Sequence, residues 1–349
     1  MLRRGSIILG FILTATLNWG APKSLTLEGF KPGPLAGVKS RAVGPGEAGP
    51  AKMVKLKSGD TAIEITGGDK ASGHYTLYRF EQPVPGDCWA RVRFRFLDGE
   101  GVQAAGIFFR MSENQKDYYL FSAKPADRKF YWTVFKDDAA VKGTFDNQIL
   151  PARNGWHELQ FTAVKNELKW NFNGRDQFFT YNPLDVPDYR AGAMGFWVRS
   201  DSRVQFAGLE VMTPEAAERR ERLRKVIADV AKANPMLIAI QIAAAPVPGK
   251  ESMVSGSLAP TEVGRLAPKA MAEAMKTDET FHGLVAGGKF AAITVPLRNK
   301  QSKVFAAVRL RTRIKPGDTK EKDITAAEAI ARYIEKQIPS RDQLFVPAP

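Results

Sequence analysis

Acidic side chains are the first candidates for chemistry in this 349-residue sequence. Glu158, Glu167, Asp176 and Glu210 stand singly in separate strand-like segments. A retaining glycosidase needs two carboxyl groups about 5 Å apart, one of which works as an acid. The spacing of these four residues selects no pair. We therefore expect ordinary solvated side chains, and convergence of acids from different strands is the open alternative.

Histidine and cysteine are the next candidates. The three histidines are His74, His157 and His282, and none lies at metal-ligand spacing from another or from the single cysteine, Cys88. The sequence therefore predicts no metal site and no cofactor. One cysteine excludes an intramolecular disulfide, and Cys88 precedes Trp89 at a strand start. We expect it to be a small buried hydrophobe and not a reactive thiol.

Arginine recurs at every second position near the C-terminus. Arg309, Arg311 and Arg313 alternate with Val308 and Leu310 in a strand-like segment. Alternation puts the three guanidinium groups on one face, where they could clamp a carboxylate or a phosphate. The solvent face of an exposed strand is the alternative.

The N-terminus carries an export pattern. Arg3 and Arg4 precede an apolar run from Ile7 to Leu17, which is too short to span a bilayer and fits the h-region of a signal peptide. We predict that residues 1–23 are a signal peptide, with a buried N-terminal helix as the alternative. The mature chain would then be periplasmic or secreted, with no membrane span.

Composition is that of a globular protein with a basic surface. The chain is 44% hydrophobic and 25% charged, and its formal net charge is +14. In an exported protein this charge favours anionic cell-surface polymers, acidic glycans or lipid head groups over nucleic acid. A merely solvated surface is the alternative.

The pattern of hydrophobic residues divides the chain into a β-rich part and an α+β part. Residues 24–54 are rich in Gly and Pro and are expected to be a linker or an irregular sandwich edge, and residues 55–212 an antiparallel β-sandwich. Strands are predicted at 61–66, 74–81, 89–97, 104–111, 117–123, 129–136, 156–163, 167–173, 193–199 and 203–211. Asn173-Gly174 predicts a tight hairpin after the eighth strand.

Residues 213–349 are predicted to form a smaller α+β domain. Thr213 caps a helix that ends at Asn234-Pro235, and a capping box of Thr325 and Glu328 opens the last helix. The further elements are predicted as strands at 237–243, 289–296 and 303–314 and a short helix at 267–276.

Three segments carry a family resemblance: "AGIFFRMSENQKDYYLFSA", "NGWHELQFTAVKNELKWNFNG" and "AGAMGFWVRSDSRVQFAGLEV". They resemble successive strands of the laminin-G-like, concanavalin A-like jelly rolls, and most closely the bacterial domain of the 3-keto-disaccharide hydrolase type, which is family 16 glycoside hydrolase-like. The catalytic glycosidases of this group carry an E-x-D-x-x-E strand, which is absent here. Residues 213–349 are similar, through a long entry helix, the pair "AAITVPLRNKQSKVFAAVRL" and a closing helix, to the Cache or PAS-like sensor folds.

The resemblance implies a ligand groove on the concave sheet of the jelly roll. If Phe196 and Val198 point into the core, Trp197 and Arg199 share the opposite face. Aromatic rings that pack on a sugar, with polar groups that bind its hydroxyls, are typical of carbohydrate sites. The predicted ligand-binding residues are Arg110, Tyr119, Trp132, Trp197 and Arg199. The alternative is that these aromatic residues cover a second core surface.

The sequence therefore favours an exported, non-catalytic binding protein that recognises carbohydrate or an anionic cell-surface polymer. One alternative is a glycan-processing hydrolase or lyase of the keto-disaccharide hydrolase type. The other is a sensory or scaffolding protein that acts through its C-terminal domain, on a ligand or a protein partner.

Overall fold

The structure, a computed structural model, describes most of the chain. The described residues are 25–26, 33–34, 37–68, 74–81, 84–98, 102–146, 155–180, 189, 192–246, 249–259, 262–315 and 317–345. The predicted signal peptide, residues 1–23, lies outside them. Within these ranges no helix is both long and apolar enough to cross a membrane.

Two antiparallel sheets form the β-rich part. Within the described residues, the strands of the first sheet are β1 (Leu25–Thr26), β2 (Gly33–Pro34), β4 (Ala51–Lys55), β5 (Thr61–Thr66), β7 (Cys88–Asp98), β12 (His157–Val164), β13 (Glu167–Phe172), β14 (Arg175–Thr180) and β16 (Arg203–Met212). Their order is β14-β13-β12-β7-β16-β5-β4-β2, with β1 also beside β16.

The second sheet has seven strands in the described part of the chain. They are β3 (Val38–Val43), β6 (Tyr75–Phe80), β8 (Ala105–Met111), β9 (Tyr118–Lys124), β10 (Lys129–Lys136), β11 (Ala139–Asp146) and β15 (Ala193–Arg199). Their order is β11-β10-β9-β8-β15-β6-β3.

Alternating side chains from both sheets meet in one apolar core. Phe94, Phe161 and Phe206 of the first sheet pack with Phe121 and Phe196 of the second. Burial of one such side chain stabilises the fold by roughly 1.5–3 kcal/mol. The predicted antiparallel sandwich is therefore confirmed, and it holds together through aromatic packing without a disulfide.

Turn chemistry fixes the register of the β12–β13–β14 meander. Lys165 has a φ of 49° in the turn between β12 and β13, and Asn173 and Gly174 have φ values of 50° and 85° between β13 and β14. Positive φ at both central residues, as at Asn173 and Gly174, is what a type I′ hairpin turn requires. The predicted hairpin at Asn173-Gly174 is confirmed.

The Gly- and Pro-rich stretch before the predicted sandwich contributes edge strands to both sheets. β3 pairs with β6, and β4 pairs with β5. The sequence predicted neither strand, and it also missed β11 and β14. All four lie at or next to a sheet edge, where the pattern of buried residues is weakest.

The C-terminal part is a five-stranded antiparallel sheet with helices on both faces, as the predicted α+β class requires. Its described elements are α1 (Pro214–Ala233), β17 (Leu237–Ala244), β18 (Met253–Ser257), α2 (Lys269–Thr277), β19 (Phe281–Val285), β20 (Phe290–Arg298), β21 (Val304–Arg313), α3 (Lys320–Gln337) and a single 3₁₀ turn (Arg341–Gln343). The strand order is β18-β17-β21-β20-β19. Helices α1 and α3 pack on one face, and α2 packs on the other.

Helix α3 begins earlier than the predicted capping box. Thr319 is the N-cap, and its side-chain oxygen accepts a hydrogen bond from the backbone N–H of Lys322. Thr325 lies one turn inside the helix and donates its hydroxyl to the carbonyl of Glu321. The predicted start was therefore wrong, because a mid-helix threonine bonded to the preceding turn has the same sequence pattern as a cap.

Helix α1 is tied to the nine-stranded sheet at its first turns. Glu210 on β16 accepts hydrogen bonds from Arg220 at 3.0 Å and from Arg224 at 3.3 Å. Met212 and Ala217 pack beside Trp89 on β7. The helix therefore contacts the sandwich through one end and the C-terminal sheet through its apolar stripe.

Candidate functional site

The outer face of the seven-stranded sheet, opposite the shared core, carries a second apolar cluster. This concave cluster consists of Tyr75, Leu77, Ala104, Phe108, Met111, Tyr118, Leu120, Phe135 and Trp197. Its rings pack on glycine positions of neighbouring strands. Trp197 stands opposite Gly106, and the ring of Phe108 fills the space where a Cβ of Gly195 would lie, only 2.6 Å from that ring.

The sheet curves so that this face is concave. The ring centroids of Tyr75 on β6 and Phe135 on β10 are 5.9 Å apart although three strands separate them. In a flat sheet β6 and β10 would lie about 19 Å apart, at about 4.8 Å per strand. The hydroxyl of Tyr118 also donates to that of Tyr75 at 2.9 Å. Burial raises the pKa of Tyr75 to about 12, so this hydrogen bond joins two neutral phenols.

An ion pair crosses the concave face. Arg41 on β3 donates to both carboxylate oxygens of Asp138, at 2.8 and 2.6 Å, from the opposite side of the sheet. The same guanidinium donates to the carbonyl of Gln115 in the β8–β9 turn. This pair, here called the clasp, ties the β3 edge to the turn between β10 and β11.

Three buried donors near the clasp have no hydrogen-bond acceptor within the described residues. They are Trp197 Nε1, Arg41 Nε and Arg79 Nε. Arg41, Leu77 and Trp197 stand opposite one another on β3, β6 and β15, and Arg79 is the next residue on the same face of β6. Buried donors normally find a partner, because leaving one unpaired costs about 1–3 kcal/mol. The described residues supply no acceptor for these three donors.

Two of the five predicted ligand-binding residues lie on this face. Phe196 and Val198 point into the shared core as expected, and Trp197 and Arg199 point to the concave side. Trp197 is 7% exposed, and its ring centroid is 5.2 Å from that of Tyr75. The Arg199 side chain is 18% exposed, and its Nε lies 3.6 Å from Asp201. The Trp197 ring is therefore packed within the cluster and is not an exposed surface for stacking.

Tyr119 and Trp132 lie on the other side of the same sheet. Both are buried in the core between the sheets, where their rings are 6.3 Å apart. On β9 it is the neighbouring Tyr118 that belongs to the concave cluster. The expected placement of Tyr119 and Trp132 in an open groove was therefore wrong.

Arg110 leaves the concave face because of its backbone. Its φ of 53° interrupts the alternation of β8, beside a register shift between β8 and β15. The buried guanidinium donates to the carbonyls of Gly86 and Lys165 and to the carboxylate of Asp87. These contacts connect β8 to the segment before β7 and to the turn after β12. Arg110 therefore stabilises this end of the sandwich.

The four acids considered in the sequence all lie in the nine-stranded sheet. Glu158 pairs with Arg91, Glu167 with Lys169, and Glu210 with the arginines of α1. Asp176 accepts a hydrogen bond from Asn171. None of the four faces the concave cluster, and each has a local polar partner.

Two described acids near the concave cluster each have an arginine beside them. Asp138 is held by the clasp, and Asp201 lies beside Arg199. Burial raises the pKa of Asp201, and the positive charge of Arg199 opposes that shift. Within the described ranges, His, Cys, Asp and Glu side chains form no group of three or more that could hold a metal ion.

The C-terminal arginines share one face of β21, as alternation predicts. Arg309 is half-buried, and Arg311 and Arg313 are exposed. They lie on the side of the sheet that carries α2, away from α1 and α3.

Comparisons with known proteins give fold-level likeness only. No protein-family model matches the sequence, and no curated protein matches it. A carbohydrate-binding module from Bacillus subtilis is 14% identical over 51% of this chain and 96% of its own, with a TM-score of 0.36. A cellulose-induced protein is 15% identical over 50% and 91%, with a TM-score of 0.38. A β-glucanase from Bacillus licheniformis is 11% identical over 51% and 93%, with a TM-score of 0.35. No ligand or activity carries over at these values, and the sandwich is established by its own two sheets and their shared core.

Proposed function

We propose that this chain is an exported binding protein whose sandwich holds a carbohydrate at the concave face without degrading it. The observation that carries the proposal is the row of buried donors without acceptors, Trp197 Nε1, Arg41 Nε and Arg79 Nε. Hydroxyl and carboxylate oxygens of a glycan are the acceptors that would satisfy them. Export is supported by the charged and apolar pattern of the first residues.

The entrance is the rim formed by β3 and β6. Lys39 is exposed and stands opposite the half-buried Arg79. A glycan that lies along this rim would bring its oxygens to the arginines.

The contacts of the acidic residues near the concave cluster favour binding without turnover over hydrolysis. Glycoside hydrolysis uses one carboxyl group as acid and another as base or nucleophile. Asp138 accepts two hydrogen bonds from Arg41, and the carboxylate of Asp201 lies 3.6 Å from the guanidinium of Arg199. A hydrolase or lyase remains the alternative prediction, and release of sugars from the bound glycan would favour it.

The test is a panel of neutral and acidic polysaccharides probed with the full chain at two salt concentrations. Trp197→Phe keeps the ring and removes the donor, and we expect it to weaken binding about tenfold, the value of roughly one hydrogen bond. Trp170→Phe is the matched control, because Trp170 Nε1 is likewise buried without a described partner but belongs to the shared core. Equal affinity of the two variants, or binding that disappears with salt, would overturn the proposal.

A further inference from the structure

The second face of the C-terminal sheet is covered over only part of its area by α2. Met271 and Ala274 of α2 pack on Ala243, Val254 and Ala307. Beyond this contact, β21 continues along the same face with Arg309 and Arg311.

The strand register defines the surroundings of both arginines. Arg309 stands between Gln241 on β17 and Thr294 on β20, whereas Arg311 stands between Ala239 and Ala292. The alanines leave space around the outer guanidinium, and Gln241 places a side-chain amide donor beside the inner one. Residues two apart on a strand are separated by about 6.4–6.8 Å, so the two guanidinium groups can reach one small ligand between them.

The two arginines also lack a direct polar partner in the described part of the chain. Neither guanidinium has an ion pair or a hydrogen bond there. Burial lowers the pKa of Arg309, the positive charge of Arg311 lowers it further, and Glu262 opposes the shift from a distance. The Glu262 carboxylate is already bound by the hydroxyl of Ser257 at 2.6 Å. A half-buried cation beside a like charge is unfavourable until an anion joins it.

We propose that this face of the C-terminal domain is a binding site for a small oxyanion, a carboxylate or a phosphate. Arg309 and Arg311 hold the oxyanion by charge-assisted hydrogen bonds, and the side-chain amide of Gln241 donates from the neighbouring strand. This site is separate from the concave face of the sandwich and does not depend on carbohydrate binding.

The test is titration calorimetry on the full chain with inorganic phosphate and, separately, with succinate, at constant ionic strength. Saturable heat with one probe and not with the other identifies phosphate or carboxylate as the ligand chemistry. We expect Arg309→Gln to weaken that binding at least tenfold and Arg311→Gln to weaken it severalfold. Arg313→Gln is the control from the same strand, because Arg313 is exposed beyond the alanine row, and it should stay within twofold of the parent chain.

Thermal melting separates loss of the site from loss of the fold. Without ligand, Arg309→Gln removes a half-buried charge and is expected to melt at or above the temperature of the parent chain. With the bound probe in excess, Arg309→Gln should gain less melting temperature than the parent chain and Arg313→Gln, because the gain grows with the ratio of ligand concentration to Kd. The absence of saturable binding for both probes, or an equal loss in Arg309→Gln and Arg313→Gln, would overturn the proposal. Trp197→Phe should leave these titrations unchanged, which keeps this result independent of the sandwich.

Discussion

Arg41 and Asp138 form a bidentate ion pair across the seven-stranded sheet, although five strand spacings separate β3 from β10. A flat sheet would place those strands about 24 Å apart, so the pair exists only because the sheet is curved. Arg41 and Asp138 side chains are 30% and 18% exposed, and hydrogen bonding to Asp138 raises the pKa of Arg41. The clasp therefore helps to hold the curvature that encloses the concave cluster.

Removal of the clasp should destabilise the sandwich measurably. We expect Asp138→Asn to lower the free energy of unfolding by about 1–2 kcal/mol, because a partly buried guanidinium loses a charged bidentate partner. Urea denaturation monitored by tryptophan fluorescence measures the change. Glu81→Gln is the control, because Glu81 forms an exposed ion pair with Lys39, which lies on β3 like Arg41. The Glu81 and Lys39 side chains are 47% and 66% exposed, so the loss of this pair should cost less than about 0.5 kcal/mol. Equal losses in the two variants would show that the clasp stabilises the sandwich no more than an exposed ion pair does.

Alternation of side chains located the concave face but not all of its residues. The contrast between Phe196 and Trp197 assigned β15 correctly. On β9 nearly all side chains are buried, and the polar residues Ser122 and Lys124 share the face of Tyr118. This weak polar phase points to Tyr118 and not to Tyr119, so the choice of Tyr119 did not follow the alternation. Arg41 was missed because it lies in an edge strand within a Gly- and Pro-rich stretch, where local signals predict irregular structure.

Part of the site could have been predicted from the sequence, as Arg79 shows. Tyr75, Leu77 and Arg79 alternate in a segment that the sequence predicts as a strand, and the structure puts all three on the concave side. The missing information was the curvature of the sheet, which depends on contacts between residues far apart in the chain such as Arg41 and Asp138. Curvature that depends on residues far apart in the chain leaves no pattern in any short stretch of the sequence.

Arg110 is expected to matter for stability. Arg110→Gln removes donors from two backbone carbonyls and from Asp87 at a position that is 2% exposed. Because buried acceptors are then left unpaired, we expect a loss of about 2–4 kcal/mol in unfolding free energy. Arg128→Gln is the matched control, because Arg128 also has a positive φ, 55°, but is exposed. A stable Arg110→Gln that fails to bind glycan would return Arg110 to the ligand-binding site.

The thiol of Cys88 should be unreactive in the folded protein. Burial raises the pKa of its thiol to about 12, the charge of Arg110 lowers it in part, and Asp87 raises it. The thiolate is the reactive form, and almost none exists near neutral pH. An aromatic disulfide reagent should therefore label no thiol in the native chain and one per chain after denaturation. Rapid stoichiometric labelling of the native protein would show that this end of the sandwich opens readily.

The buried tyrosines should make the fold sensitive to alkali. Burial raises the pKa of Tyr75 from 10.0 to about 12, and burial also raises that of Tyr118. Both stay neutral in the folded state, whereas in the unfolded chain they ionise near their ordinary value. Their contribution to stability is therefore complete below pH 10.0 and is lost as the pH rises towards 12.

Tyrosinate absorbance and circular dichroism followed together in an alkaline titration measure this coupling. We expect the late part of the absorbance rise to coincide with unfolding. Tyr75→Phe should make the fall of unfolding free energy with pH shallower, because one raised group is removed. Tyr333→Phe, at a site that is 39% exposed, is the control and should leave the slope unchanged. If all tyrosines titrated near their ordinary value while the dichroism stayed native, the concave cluster would have to be open to solvent, and the donors beside it would already be hydrated without a glycan.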